Sequence, residues 1–209
     1  MNIIEQLQWR YATKKFDDEK MLPQEKLNTL IEAFNLTATS YGLQPLKLVV
    51  VKDKKLQKEL TKHSWNQQQV ADASHVLVFC IENTIGEEYI SKHFDNVQTI
   101  RNTSEEILNP FKKQLIDSFK NKPNEEISSW ATKQAYLAMG NLLTVCAIEE
   151  IDACPMEGFI PEKYNEILNL TELGLSSVLV LPVGYRAKDD MFSDFKKVRR
   201  SIKDTVITI

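Results

Sequence analysis

Residues 130–159 read WATKQAYLAMGNLLTVCAIEEIDACPMEGF. The first part of this stretch is apolar on almost every side, with Ala135, Tyr136, Leu137, Ala138, Met139, Leu142, Leu143, Val145, Cys146, Ala147 and Ile148 in close succession. No proline interrupts the run and strong helix formers dominate it, so it predicts a helix. A helix that is apolar all round is buried on all sides. About nineteen residues at 1.5 Å each span roughly 28 Å, long enough to run through a domain and reach an interface. Gln134, Asn141 and the flanking charges argue against a membrane span, which needs ~20 predominantly apolar residues. The helix gives way to Cys154-Pro155-Met156-Glu157-Gly158-Phe159. There Pro155 lacks a backbone donor, and Gly158 lets the chain approach something closely. A buried helix feeding a glycine-containing loop is the expected floor of a binding site.

Composition bounds the rest. A chain of 209 residues suits one domain over 1–209, or a dimer of such subunits. Hydrophobic residues at 43% and charged residues at 26% are ordinary for a water-soluble globular chain. A net charge of −3 gives no global attraction to nucleic acid, so any basic site is local. The N-terminus MNIIEQLQWRYATKKF has an early acid and no apolar core, unlike a secretory leader. Cys80, Cys146 and Cys154 are an odd number of thiols inside apolar runs, which suits a reducing cytoplasm. With only His63, His75 and His93, and no close Cys/His pairs, no metal site is expected.

Moving outward from the central stretch, residues 2–9 read as a short helix that Asn2 caps. Leu22-Pro23 opens a second helix to about Leu36, with Leu27, Leu30, Ile31 and Phe34 as its inner stripe. A polar loop, Thr37 to Pro45, leads to a strand over Leu46–Val51. Residues 54–63 are expected to be an exposed helix, and His75–Cys80 a buried strand. His75, at the edge of that strand, reads as a packed side chain rather than a catalytic one. Residues 83–123 are charged and weakly patterned, and read as one or two helices leaving the core, a candidate lid. Ser176 to Tyr185 is a clear strand, and Asp204–Ile209 a strand-like tail.

The candidate chemistry lies in two basic clusters at opposite ends of the chain, Arg10/Lys14 and Lys197/Arg199. Each alone reads as a solvated surface. Together they are able to converge on one small anion, since arginine forks and lysine point charges suit phosphate. Neither glycine-rich phosphate loop is present. Side-chain capture with Thr39, Ser40, Asn66 and Gln69 nearby fits a mononucleotide better than a dinucleotide.

In order and spacing, Arg10-Tyr11-Ala12-Thr13-Lys14, Thr39-Ser40 running to Gln44-Pro45, Asp72-Ala73-Ser74-His75-Val76, Pro155-Met156-Glu157-Gly158-Phe159, Pro182-Val183-Gly184-Tyr185 and Lys197-Val198-Arg199 resemble the nitroreductase family. The likeness runs the length of the chain, is weakest at 85–125, and is nearest to the oxygen-insensitive NAD(P)H nitroreductases and dihydropteridine reductases. It implies an α+β fold, a central mixed or antiparallel sheet wrapped by helices, in an intertwined homodimer with FMN at the dimer interface. The apolar helix would then pack against its symmetry mate, and Thr205–Ile209 would add a strand to the partner's sheet.

The resemblance also implies roles. Arg10, Lys197 and Arg199 would hold the FMN phosphate, with backbone groups of Tyr11 and Ala12 beside it. Lys14 would lie at the N1/O2 edge of the flavin, where a fixed cation stabilises the negative charge of the reduced form. Asn66 would bond the pyrimidine edge. In the loop that begins at Pro155, Glu157 and Gly158 would turn backbone groups to N5 and O4. Thr39, Ser40 and Gln134 would reach the cofactor from the partner or the helix. Tyr41 and Trp65 are the candidates for the acceptor side, although Trp65 reads equally well as a core residue.

The implied reaction is ping-pong, NAD(P)H reducing the flavin and a nitroaromatic, quinone or related small acceptor reoxidising it. No side chain need act as acid or base. Three departures from the family pattern stand out. Gln69 stands where a lysine is common, implying a lower flavin potential or looser binding. Tyr11 and Ala12 replace residues with side-chain donors. Tyr41 and Leu46 stand where a small polar residue and an aromatic are common. Two alternatives therefore stay open: a flavin-binding or regulatory protein without turnover, and a specialised flavin enzyme of the family.

Overall fold

The computed structural model describes residues 2–209. In chain order the elements are helix α1 (Ile3–Trp9), α2 (Gln24–Asn35), strand β1 (Leu46–Val51), α3 (Lys54–Lys62), α4 (Gln69–Asp72), β2 (His75–Glu82), α5 (Glu87–Arg101), α6 (Glu105–Lys120), α7 (Asn124–Ile148), β3 (Asp152–Ala153), α8 (Pro161–Ile167), β4 (Leu175–Gly184) and α9 (Ile202–Thr205). Asn2 does cap α1, its side chain accepting from the Ile4 N–H at 3.0 Å. Pro23 stands at the N-cap of α2, where a missing N–H costs nothing.

The sheet is antiparallel throughout its four strands, in the order β1-β2-β4-β3. Strand β2 shows why the fold has three layers. Its side chains alternate, Leu77, Phe79 and Ile81 entering one core while Val76, Val78 and Cys80 enter another. Helices cover both faces, so β2 is a continuous apolar run rather than an alternating one. On the first face lie α2, α5, α6 and α7, contributing Leu27, Leu30, Ile90, Phe94, Leu115, Phe119 and Leu142. On the other lie α3, α4 and α8, with Leu60, Val70 and Tyr164.

Helix α7 begins six residues before Trp130 and runs for 25 residues. Ala131, Ala135, Ala138, Leu142 and Cys146, spaced at four, three, four and four, form its fully buried stripe. Contrary to the all-round burial expected from composition, Tyr136 and Leu137 stand exposed, Leu137 at 55%. On this face Tyr136 reaches only the exposed Glu157 by a hydrogen bond, and the Leu137 side chain is left open.

Other expectations shift. Ile31 of α2 is exposed, because the buried stripe of that helix is carried by Leu27 and Leu30. The segment 83–123 is not a loose excursion: α5 and α6 pack on each other and bury Ile90, Phe94, Leu115 and Phe119 in the main core. The C-terminal tail is not a strand within this chain. Residues 202–205 form a helical turn, and Val206, Ile207 and Ile209 are exposed. No helix among the described residues is long and apolar enough to cross a membrane.

Leu142 has no exposed surface and lies at the centre of the α7 stripe. Leu142→Ala is expected to cost about 2–5 kcal/mol, through lost burial plus the cavity left behind. Urea unfolding should show a lower midpoint at unchanged slope.

Candidate functional site

The two basic clusters, 187 residues apart in sequence, meet at one end of the sheet. The Lys197 ammonium donates to the backbone carbonyl of Leu7 at 2.9 Å and also to that of Arg10. Burial lowers the pKa of Arg10, and the Arg199 charge lowers it further. Lys197 is lowered by burial first, then by Arg10 and Arg199. Among the described residues, none of the three joins a carboxylate in an ion pair. Three cations held together without a counter-ion repel one another, and an anion between them reverses the sign of that interaction.

The segment bearing Arg10 to Lys14 is fixed by an acid that has no distinguishing local pattern. Asp190, only 3% exposed, lies under it. Its Oδ2 accepts from the Tyr11 hydroxyl at 2.8 Å, the Lys14 N–H at 2.9 Å and the Lys15 N–H at 3.0 Å, while Oδ1 accepts from Phe192 N–H at 3.1 Å. Burial pushes this carboxyl up, but the bonds from Lys14, Lys15 and Tyr11 outweigh it and hold the pKa below the usual value. Burial and the same bond raise the Tyr11 phenol. Beside it Asp152 binds Arg186 through Nε at 2.7 Å and the backbone N–H at 2.8 Å, and the guanidinium lies over the rings of Trp9 and Tyr11 at 4.3 and 4.6 Å. Ala12 pairs with Ala153 as a parallel bridge, continuing the sheet beyond β3. Lys14 is exposed, and its ammonium makes no hydrogen bond or ion pair among the described residues.

Residues 155–158 run along β4, tied by the Met156–Val180 bridge. Opposite them stand Trp65, Asn66 and Gln67. The Gln67 side-chain amide donates to the Gly158 carbonyl at 3.0 Å. A Cβ on Gly158 would lie 2.8 Å from Trp65 Cε3 and 2.9 Å from Gln67 Nε2, so glycine is needed for this close approach. Trp65 and Asn66 are consecutive left-handed residues, at φ 54° and 55°. Such backbone costs of order 1–3 kcal/mol per residue and gathers at functional sites. Trp65 is 73% exposed, which removes the core reading of this residue. Gln69 is buried in the first turn of α4. Pro155 is partly buried and Glu157 exposed, its carboxylate accepting from the Tyr136 hydroxyl at 2.7 Å.

Thr39, Ser40 and Tyr41 form a second group, not in contact with the first through any hydrogen bond found here. Gln134 joins this group in a supporting role: its Oε1 accepts from Ser40 N–H at 2.9 Å and its Nε2 donates to the Trp130 carbonyl at 3.0 Å. Tyr41, like Trp65, is left-handed, with φ 60°. Leu46 is buried in the core at the start of β1 rather than open to a ligand. His75 is buried against Ser74, as a packed residue.

The nitroreductase family model matches residues 7–185. The chain belongs to the nitroreductase family. A Staphylococcus epidermidis protein named "Putative NAD(P)H nitroreductase" is 34% identical over 98% of this chain and 95% of its own length. A nitroreductase family protein of Streptococcus pneumoniae superposes with a TM-score of 0.83 at 27% identity, over the whole of both chains. A structure from Exiguobacterium sibiricum solved in complex with FMN superposes at 0.84 over 100% of this chain and 98% of that one, at 16% identity. The last is a likeness of fold.

For this nitroreductase, sequence reasoning passed over Asp190, Asp152, Arg186, Gln67 and Tyr136. Asp189-Asp190 beside two basic residues looks like surface charge, and only burial reveals its use. The thiols carry no reactive signal: burial pushes Cys80 and Cys146 up to about 12, and Cys154 upward.

Asp190→Asn places an amide donor against at least one N–H donor, and is expected to cost about 1–3 kcal/mol at neutral pH. A carboxyl lowered by folding stabilises fully above its unfolded pKa, and loses that contribution as pH falls toward its folded one. The gap between wild type and variant should therefore narrow below about pH 4, as thermal melts across pH 3–7 would show.

Proposed function

We propose that this chain is an FMN-dependent NAD(P)H oxidoreductase that acts as a homodimer on a small acceptor such as a nitroaromatic or quinone. The observation that carries the reading is the cluster of Arg10, Lys197 and Arg199, three mutually repelling cations without a counter-ion. A phosphate dianion fits that donor set in both charge and hydrogen bonding. Family membership and the name borne by the staphylococcal relative support the nicotinamide donor.

When bound, FMN supplies two-electron transfer from the nicotinamide to the acceptor. Arg10, Lys197 and Arg199 bind its phosphate, with the backbone of Tyr11 and Ala12 alongside. Lys14, its backbone fixed by Asp190, brings an unpaired ammonium to the N1/O2 edge. Asn66 would bond the pyrimidine edge, and Gln69, buried at the start of α4, would add no charge to the site. Pro155, Glu157 and Gly158 form the rim that turns backbone groups to N5 and O4. Thr39 and Ser40 approach from the partner copy, held in place by Gln134. Trp65 and Tyr41 face the acceptor.

The dimer is supported by apolar surface that one copy leaves open. Tyr136 and Leu137 of α7 and Ile3, Ile4 and Leu7 of α1 are exposed, and these two helices pack side by side. A second copy buries that surface and brings its own Thr39–Ser40 loop to the first group of residues. The free edge of β1 suits the partner's Thr205–Ile209 as an added strand. With donor and acceptor both small and soluble, we place the enzyme in the cytoplasm, without nucleic-acid or membrane partners.

The deciding experiment is the visible spectrum of the FMN-loaded protein, followed without oxygen as NADH or NADPH is added. A flavin band that bleaches in one two-electron step supports the oxidoreductase. A yellow protein that neither donor bleaches would favour the reading without turnover, for which Gln69 in a lysine's place is the specific argument. Failure to bind FMN at all would overturn the proposal. Arg199 is exposed, so Arg199→Ala should fold normally yet purify with at least tenfold less flavin. In light scattering, Leu137→Glu should turn a dimer into a flavin-poor monomer.

A further inference from the structure

The loop Thr39–Gln44 is held more tightly than a surface loop requires. Ser40 N–H is bound by Gln134 of α7, and Gly42 N–H donates to the Thr39 carbonyl at 2.9 Å. At the far end, the Tyr89 hydroxyl of α5 bonds the carbonyls of Leu43 and Gln44 at 3.0 and 2.8 Å. His93, one turn further along α5, stands beside Gly42, where a Cβ on that glycine would lie 3.4 Å from its Cε1. Between these anchors Tyr41 has left-handed backbone, which a bulky aromatic adopts only when its surroundings over-determine it.

What over-determines it is a cluster of three rings. Tyr41 lies 6.2 Å from Trp130, tilted by 36°, and 6.3 Å from Phe119 at 76°. Phe119 and Trp130 in turn meet edge to face at 5.2 Å. Phe119 is buried in the main core, so the cluster is anchored rather than floating. Tyr41 nonetheless remains 47% exposed. One side of its ring is packed and the other is open.

We propose that Trp130 and Phe119 are positioning residues that hold Tyr41 as a fixed aromatic wall of the acceptor site. The proposal rests on the reading of Tyr41 as facing the acceptor. A ring held in this way offers one flat face for offset stacking. It also gives α5 and α6 a purpose. They supply Tyr89, His93 and Phe119 and act as the scaffold of the specificity loop, not as a lid.

The test uses FMN-loaded protein reduced with dithionite and mixed rapidly with menadione, a planar quinone, or with ferricyanide, which takes electrons without needing a stacking face. Trp130→Ala should raise the menadione concentration for half-maximal reoxidation about tenfold, as should Tyr41→Ala, while the ferricyanide rate of Trp130→Ala stays at the wild-type value. The double variant should be no worse than either single one, because the two residues act through one wall. Trp130→Phe should restore most of the affinity. Flavin-free Trp130→Ala should also be cut by chymotrypsin after Tyr41 under conditions where wild type resists. Should Trp130→Ala fail to fold, Phe119→Leu is read in the same way. Unchanged menadione saturation in Trp130→Ala, or additive losses in the double variant, would overturn the proposal while leaving the oxidoreductase intact. A wild-type protein without flavin would instead defeat the underlying reading.

Discussion

The structure depends on how closely α7 lies against the sheet. Ala131, Ala135 and Ala138 put only methyl groups between helix and strands, and Leu142 and Cys146 fill the space as the helix continues. Small side chains at this spacing let the backbone of α7 contact all four strands as well as α1 and α2. Of the other helices on that face, α2 packs along it, and α6 meets it through Phe119 and Trp130. The same closeness dictates what the helix offers elsewhere: Gln134, beside the stripe, bonds Ser40, while Tyr136 on the outer side bonds Glu157. One helix thus reaches both groups of site residues, which share no other direct bond among those found.

A second constraint is electrostatic. Arg10, Lys197 and Arg199 are gathered although they repel, so something else must hold them. Backbone bonds do so: Lys197 caps carbonyls at the end of α1, and Asp190 pins the amides of Lys14 and Lys15 from beneath. A buried carboxylate satisfied by four donors is strongly favoured to stay ionised. Its placement under the segment, rather than beside the cations, leaves their charges uncancelled and available to an anion. An acid used as an ion-pair partner here would have neutralised the feature that defines the site.

Left-handed backbone recurs in both groups of site residues. Tyr41, Trp65 and Asn66 all have left-handed backbone, and all three stand where the family resemblance puts acceptor or flavin contacts. Tyr41 is backed by Phe119 and Trp130, and the turn that carries Trp65 and Asn66 is tied down at its next residue, where Gln67 bonds Gly158. Asn102, Glu150 and Asn169 are also left-handed but end helices or turns, where such a residue merely stops a helix.

Much of the element pattern was legible in the sequence, because periodicity and punctuation are local: the capped α1, the apolar β2, the glycine-containing loop at 158 and a strand over 176–185, which the structure places at 175–184. It also disclosed the two basic clusters and, through six motifs in register, the family. It did not disclose which faces are open. Leu137 and Ala138 look equally apolar in sequence, and only the direction in which α7 meets the sheet separates an exposed side chain from a buried one. Nor did it reveal Asp190, since an aspartate in a charged run has no local signature until 176 residues of chain fold back to put Lys14 above it. The tail read as a strand because its β-branched alternation was judged without a neighbour to pair with, and strand pairing is a tertiary property. Local chemistry determined what the pieces are, and long-range packing decided which of them face each other.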